Sequence, residues 1–276
     1  MNRLLSADFY NVRKSNVTKL LLIGAFVSGI LMPLFFYGIL GFLKLVGNNA
    51  DFLDIEEMRP MLESINGITA YLTAENIFMM VLPISEGFGL IICGAICYYN
   101  AQQFSNGIIR NKIIEGQPRS RIYISMLITS VVLATVSALL YLLTAAGMSR
   151  LCVGAFEMDA SHFFTIILIS TMIYMAYASI QTFAAFSTKS VPFSMIICIL
   201  LPIVTNTVFS IMGTFVATMP EEILPLCAIF PTFQLILIVN KLSTTGVVIV
   251  AIISDVILTA LIALLGILKF KHTDVK

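Results

Sequence analysis

The chain has 276 residues, of which 59% are hydrophobic and only 11% are charged, and its formal net charge is +1. A soluble domain has roughly 45–50% apolar and about 25% charged residues, so this chain has too few charges to cover a surface that faces water. The composition excludes an ordinary soluble protein and predicts an integral membrane protein.

Long apolar runs predict the membrane-spanning helices. A helix needs about 20 mostly apolar residues to cross a hydrocarbon core of about 30 Å, and open strands would leave backbone groups unpaired in lipid. The first run is longer than the apolar region of a signal peptide, so we expect it to remain as an anchor. The sequence therefore predicts a single all-α membrane domain over 1–276. Its six spans lie at about 20–43, 76–98, 122–146, 163–186, 191–215 and 245–268.

The distribution of Lys and Arg predicts the orientation of these spans, because cytoplasmic loops carry an excess of both. With the N-terminus in the cytoplasm, twelve cationic residues lie inside: Arg3, Arg13, Lys14, Lys19, Arg110, Lys112, Arg119, Arg121, Lys189, Lys269, Lys271 and Lys276. Four lie outside: Lys44, Arg59, Arg150 and Lys241. Both termini are therefore predicted to be cytoplasmic.

Two further segments are apolar without being spans. Residues 1–14 place Met1, Leu5, Phe9 and Val12 on one helical stripe, with charged residues opposite, which predicts an amphipathic helix in the inner membrane surface. The alternative is a disordered basic tail.

Residues 223–239 are uncharged but interrupted by two prolines, and a seventh span there would place the C-terminal lysines outside. We expect a re-entrant or surface-lying hairpin on the outer side, between the last two spans.

The loop between the second and third spans is both basic and rich in isoleucine. Its apolar residues do not form one stripe, so we expect a short helix, a break near Gly116–Pro118 and then the third span. Positive-inside topology explains the cations, and anionic headgroups attract each by about 1 kcal/mol. It does not explain the isoleucines, which need a cover of lipid or protein.

This loop carries a resemblance to a known family. The sequence NGIIRNKIIEGQPRSRIYISMLI (106–128) resembles the segment after the second span in permeases of type-2 ABC exporters, which have a similar glycine–apolar–Arg–Asn–Lys–apolar pattern followed by a basic Arg-x-x-x-Tyr-like helix start. RLLSADFYNVRKS (3–15) is similar to the opening of the same family. The small size and short outer loops look most like bacterial peptide exporters, including bacteriocin self-protection systems.

The resemblance implies a docking role for the loop. In that family it forms a coupling helix that contacts a separate cytoplasmic ATPase, present in two copies. Here the implied segment is 104–115, with Ile108, Ile109 and Ile113 as apolar anchors and Arg110 and Lys112 as a charged rim. Phe104 and Glu115 bound the segment. The resemblance further implies a bacterial plasma membrane and a dimer of permeases, formed with an identical copy or a related chain, and it gives no role to nucleic acid.

Nucleotide and metal chemistry have no residues to carry them in this sequence. It contains no G-x-x-x-x-G-K-[ST], so ATP and Mg²⁺ would have to be bound by the partner. The only histidines, His162 and His272, are far apart, and the five cysteines lack metal-site spacing, which favours packing thiols. We expect neither an enzyme nor a cofactor in this chain.

Glu86 and Asp255 are the two charges within predicted spans. An ionisable group at that depth costs roughly 2.5–3.5 kcal/mol on insertion scales, so it should face a cavity or a partner. Both could line a translocation path for a cationic cargo, or each could be hydrogen-bonded within the bundle, near Ser85, Ser254 and Thr259.

Three functions remain open from the sequence. The first is the transmembrane subunit of an ATP-driven exporter of an amphipathic cargo, with a peptide as the expected cargo. The second is an ion-coupled secondary transporter that uses Glu86 and Asp255, although inverted repeats are not apparent. The third is a membrane immunity or scaffold protein that binds a target without moving it.

Overall fold

A computed structural model of the protein describes residues 2–50, 73–82, 88–156, 158–213, 220, 222–239 and 244–271. Every regular element in these ranges is a helix. The helices are α1 (Asn2–Lys14), α2 (Asn16–Ala50), α3 (Ala74–Val81), α4 (Phe88–Ser105), α5 (Ile108–Ile114), α6 (Arg119–Val153), α7 (Ala160–Thr188), α8 (Val191–Gly213), α9 (Leu224–Cys227), α10 (Pro231–Val239) and α11 (Thr245–Lys271).

Five of these helices are long and apolar enough to cross a membrane. The parts that could cross are Asn16–Leu45 of α2, all of α6, all of α7, Val191–Val208 of α8, and all of α11. They correspond to the first, third, fourth, fifth and sixth predicted spans. The chain is therefore an all-α, multi-pass membrane protein.

The second predicted span, 76–98, is not one helix among the described residues. α3 ends at Val81 and α4 begins at Phe88, and residues 83–87 between them lie outside the described residues. Pro83 follows α3 in the sequence, and a proline lacks the N–H that the interior of a helix uses. The last turn is already tightened, because the Leu82 N–H donates to the Met79 carbonyl at 3.3 Å.

The bundle is built around α6 and α7, which pack against each other and are the most buried of the long helices. α2 lies along α6, α11 along α7, and α4 packs between α7 and α8. In the most apolar 18-residue stretch of each helix, 56% of α6 and 61% of α7 is buried inside the structure. The corresponding share is 17% in both α8 and α11. The two outer helices therefore present most of their apolar surface to whatever surrounds the chain.

One end of the bundle joins distant parts of the sequence. A buried group of side chains, here called the Phe270 cluster, consists of Leu4, Ile109, Ile122, Tyr123, Met126, Leu127, Phe186 and Phe270. The rings of Phe186 and Phe270 meet edge to face with centroids 4.9 Å apart. The Arg119 guanidinium donates to the Lys271 carbonyl at 3.1 Å. The start of α1, the helix α5 and the end of α11 therefore lie at the same end of the bundle.

The predicted hairpin 223–239 forms the short helices α9 and α10, which pack against α7, α8 and α11. Most of α10 is buried, and the Tyr177 hydroxyl of α7 lies 2.9 Å from the Thr232 hydroxyl. The Gln234 amide reaches Asp255, which lies ten residues after the first residue of α11. At 1.5 Å per residue that position is about 15 Å along α11.

Candidate functional site: the loop helix

Helix α5, called the loop helix from here on, is a seven-residue element between α4 and α6. It begins after Gly107 and ends in a Schellman motif: the Gly116 N–H donates to the Ile113 carbonyl at 3.0 Å, and the Gln117 N–H donates to the Lys112 carbonyl at 3.1 Å. Gly116 has φ +82°, a conformation that glycine adopts without a Cβ clash. The break predicted near Gly116–Pro118 is thereby confirmed.

The loop helix turns part of its apolar surface inward. Ile109 is completely buried in the Phe270 cluster, and Phe104 and Ile113 pack against the same cluster. Residues three and four apart share a helix face, so Ile109, Lys112 and Ile113 all point toward the bundle. Ile109, which the resemblance implies is an apolar anchor, therefore has its side chain inside the bundle.

Lys112 is also inside, where it pairs with Asp8 of α1. The Lys112 ammonium lies 2.5 Å from Asp8 Oδ1, and the Ser125 hydroxyl of α6 donates to Asp8 Oδ2 at 2.6 Å. Asp8 and Lys112 are 3% and 7% exposed, so water does not screen the pair. Lys112, which the resemblance implies is part of a charged rim, here uses its charge within the molecule.

The burying face of α1 differs from the predicted stripe. Leu4, Asp8 and Val12, spaced four residues apart, are the buried side chains, whereas Phe9 is 37% exposed. The sequence carries a signal for this face, because Asp8 is an acidic residue among the cations of the N-terminal segment. An unpaired carboxylate would be costly to bury, which calls for a cationic partner.

The outward face of the loop helix consists of Arg110, Asn111, Ile114 and Glu115, all exposed. Ile114 is 72% exposed. Ile108 is half-buried at the edge of this face. The arrangement offers one apolar side chain flanked by a cation and an anion, which is suited to docking against a protein groove.

Asp255 lies elsewhere, deep between α11 and the hairpin. Its Oδ1 accepts a hydrogen bond from the Gln234 amide at 3.2 Å, and the same amide donates to the Ala228 carbonyl at 2.9 Å. Oδ2 has no hydrogen-bond partner within the described part of the chain. A cavity of about 320 Å³, lined by Met172, Met175 and Thr259 among others, adjoins the carboxyl group.

Glu86, the second predicted path residue, lies outside the described residues, as does Ser85. Ser254 and Thr259 are the expected local partners of Asp255. The hydrogen bond to the Asp255 carboxylate instead comes from Gln234, which is twenty-one residues away. Among the residues that the structure describes, no three His, Cys, Asp or Glu side chains are placed to hold a metal ion.

Asn100 joins the three central helices through buried polar side chains. Its amide donates to the Ser130 hydroxyl at 2.8 Å and to the Thr182 hydroxyl at 3.2 Å. These contacts tie α4 to α6 and α7 in the part of α4 that leads to the loop helix. The loop helix is therefore attached to a buried, hydrogen-bonded part of the bundle at its start as well as through Asp8.

No model of a known protein family matches this chain, and no curated protein matches it either.

Proposed function

We propose that this protein is the transmembrane subunit of an ATP-driven exporter, powered by a separate ATPase that docks on the loop helix. The observation that carries the proposal is the outward face of that helix. Ile114, Arg110 and Glu115 are presented together at one end of the bundle, on a helix that is anchored on its opposite face by Ile109 and Lys112. A rigidly held surface helix can transmit a push from a partner to the helices it joins.

The arrangement of the chain ends supports a six-crossing topology. α1, the loop helix and the end of α11 meet at one end of the bundle, which requires an even number of crossings between them. In this proposal α3 and α4 together form the broken second span, and α9 and α10 form a re-entrant hairpin from the outer side. That common end then faces the cytoplasm, in agreement with its excess of Lys and Arg.

The exposed apolar helices support assembly with a second permease chain in the bilayer. α8 is buried over only 17% of its apolar window, and Phe193, Ile196 and Leu200 project outward from it. Lipid and a second copy are both suited to such a surface. We propose a dimer with two ATPase subunits in a bacterial plasma membrane, and an amphipathic cargo such as a peptide.

Co-purification tests the docking proposal directly. The tagged protein is extracted in mild detergent from its native host, and a P-loop ATPase is sought among the proteins that come with it. We expect the ATPase with wild type and its loss in Ile114→Asp and in Arg110→Glu. Arg121→Glu is the matched control, since Arg121 is exposed at the start of α6 but lies outside the loop helix. A wild-type protein that brings no ATPase, or an Ile114→Asp variant that keeps it, contradicts the proposal.

Asp255 favours a second candidate function, an ion-coupled transporter. Its Oδ2 is buried without a partner in the described residues and adjoins a cavity, as a proton or cation site would. This candidate predicts transport in proteoliposomes that needs an ion gradient and no ATPase. Asp255→Asn should then abolish uptake, whereas under the exporter proposal ATP removal should do so.

A further inference from the structure

The Asp8 carboxylate of α1 joins two other elements at the inner face of the loop helix. Its Oδ1 meets Lys112 of the loop helix, its Oδ2 accepts from Ser125 of α6, and its own backbone belongs to α1. Leu4, one turn earlier on α1, enters the same cluster as Ile109. α1 therefore touches the loop helix twice, once through an apolar contact and once through a charge.

These two contacts constrain the loop helix differently. Apolar packing has little directional preference, so Ile109 and Ile113 alone would permit a seven-residue helix to roll or shift. A carboxylate that accepts from two donors, each on a different element, fixes both distance and angle. The loop helix has only seven residues and moves as one piece. Contacts that fix its inward face therefore also fix the direction in which Arg110 and Ile114 point.

We infer that Asp8 is the positioning residue of the loop helix: through Lys112 and Ser125 it sets the orientation in which Arg110, Ile114 and Glu115 are presented. α1 then helps to position the proposed docking surface, in addition to its predicted place in the membrane surface. The inference rests on the proposed function for its consequence in coupling. Its structural part stands independently of any ATPase.

Hydrogen exchange of the full-length protein in detergent tests the structural part. In Asp8→Asn the amide can still accept from Ser125, but Lys112 loses its counter-charge. We expect amide exchange over 108–114 to become about tenfold faster, with rates in α6 and α7 unchanged. Asp159→Asn, which neutralises an exposed carboxylate at the start of α7, should leave the loop helix at its wild-type rate.

The reversed pair keeps the test decisive if single variants fold poorly. Asp8→Lys combined with Lys112→Asp restores opposite charges over the same total side-chain length, and the Ser125 oxygen can accept from the new ammonium. We expect exchange over 108–114 to return toward the wild-type rate. Wild-type rates in Asp8→Asn, a rise spread evenly over the whole chain, or no recovery in the reversed pair would each overturn the inference.

The partner measurement separates this inference from the proposed function. If an ATPase binds wild type, Asp8→Asn should weaken that binding by about tenfold although Arg110 and Ile114 are intact. Unchanged binding would overturn the role of Asp8 while leaving the exporter proposal in place. If no ATPase binds wild type, the exporter proposal fails, and the exchange result alone decides whether Asp8 positions the loop helix.

Discussion

The Tyr141 hydroxyl of α6 donates to the Val81 carbonyl of α3 at 3.0 Å, with the tyrosine side chain fully buried. The last carbonyls of a helix have no partner within it, and Val81 is the last residue of α3. Tyr141 therefore supplies a donor to the C-terminal end of α3. This contact ties that end to α6, at the centre of the bundle.

Replacement of Tyr141 by Phe should destabilise the protein without changing its shape. The buried Val81 carbonyl would lose the Tyr141 donor, and a buried carbonyl left unpaired costs about 1–3 kcal/mol. Thermal unfolding in detergent measures the effect as a lower midpoint. Tyr10→Phe is the matched control, because Tyr10 is 56% exposed and its ring, which lies beneath Lys14, is retained. A Tyr141→Phe protein that unfolds like wild type would show that the carbonyl has another donor.

A methyl group at Gly266 should disrupt the contact between α11 and α6. A Cβ there would lie 2.0 Å from Cζ and the hydroxyl oxygen of Tyr123, whose ring is fully buried. Overpacking of this kind typically costs about 1–3 kcal/mol, so Gly266→Ala should lower the unfolding midpoint. Gly38→Ala has open space around it and serves as the control. Adding Tyr123→Leu to Gly266→Ala should recover part of the loss, and no change in either variant would contradict the close approach.

The thiols of Cys97 and Cys198 should cross-link α4 to α8. Their sulfur atoms lie 3.0 Å apart in a buried patch of small side chains. Treatment with copper–phenanthroline, which removes two electrons and two protons, should join them, and mass spectrometry after denaturation and alkylation should find the linked peptides. Cys198→Ser should abolish the link. A linked product that lacks Cys198 would contradict the close approach of these two thiols.

Gln234 should hold the hairpin against α11. Gln234→Leu removes the donor to Asp255 Oδ1 and to the Ala228 carbonyl, so two buried acceptors lose a partner. We expect faster amide exchange over 224–239 and a lower unfolding midpoint. Asp255→Asn keeps an oxygen that accepts from Gln234 and should retain the wild-type exchange rate. Equal exchange in Gln234→Leu and wild type would exclude this anchor.

Apolar run length predicted the long helices, because a span of lipid imposes a length on any helix that crosses it. Over 76–98 the described residues form two helices, α3 and α4, and Pro83 lies between them in the sequence. The loop helix shows a different limit. Isoleucines at 108, 109, 113 and 114 surround a seven-residue helix, so no periodicity could tell its inward face from its outward face.

The missed part of the site depends on contacts between distant residues. Asp8 and Lys112 are 104 positions apart, and nothing in either local segment specifies the other. The same is true of Gln234 and Asp255, which meet only because the hairpin folds back against α11. Local sequence could mark Asp8 and Asp255 as charges in need of partners. Only the packing of the helices could identify those partners.

The Phe270 cluster has a consequence for the order of biosynthesis. It requires Leu4 from the beginning of the described chain and Phe270 from its end, with Ile109 of the loop helix between them. A ribosome makes Leu4 and Ile109 long before Phe270, so the cluster stays incomplete until the last helix has been inserted. The loop helix therefore reaches its final packing only after α11 has been inserted, and a prematurely terminated chain would lack part of the cluster that holds it.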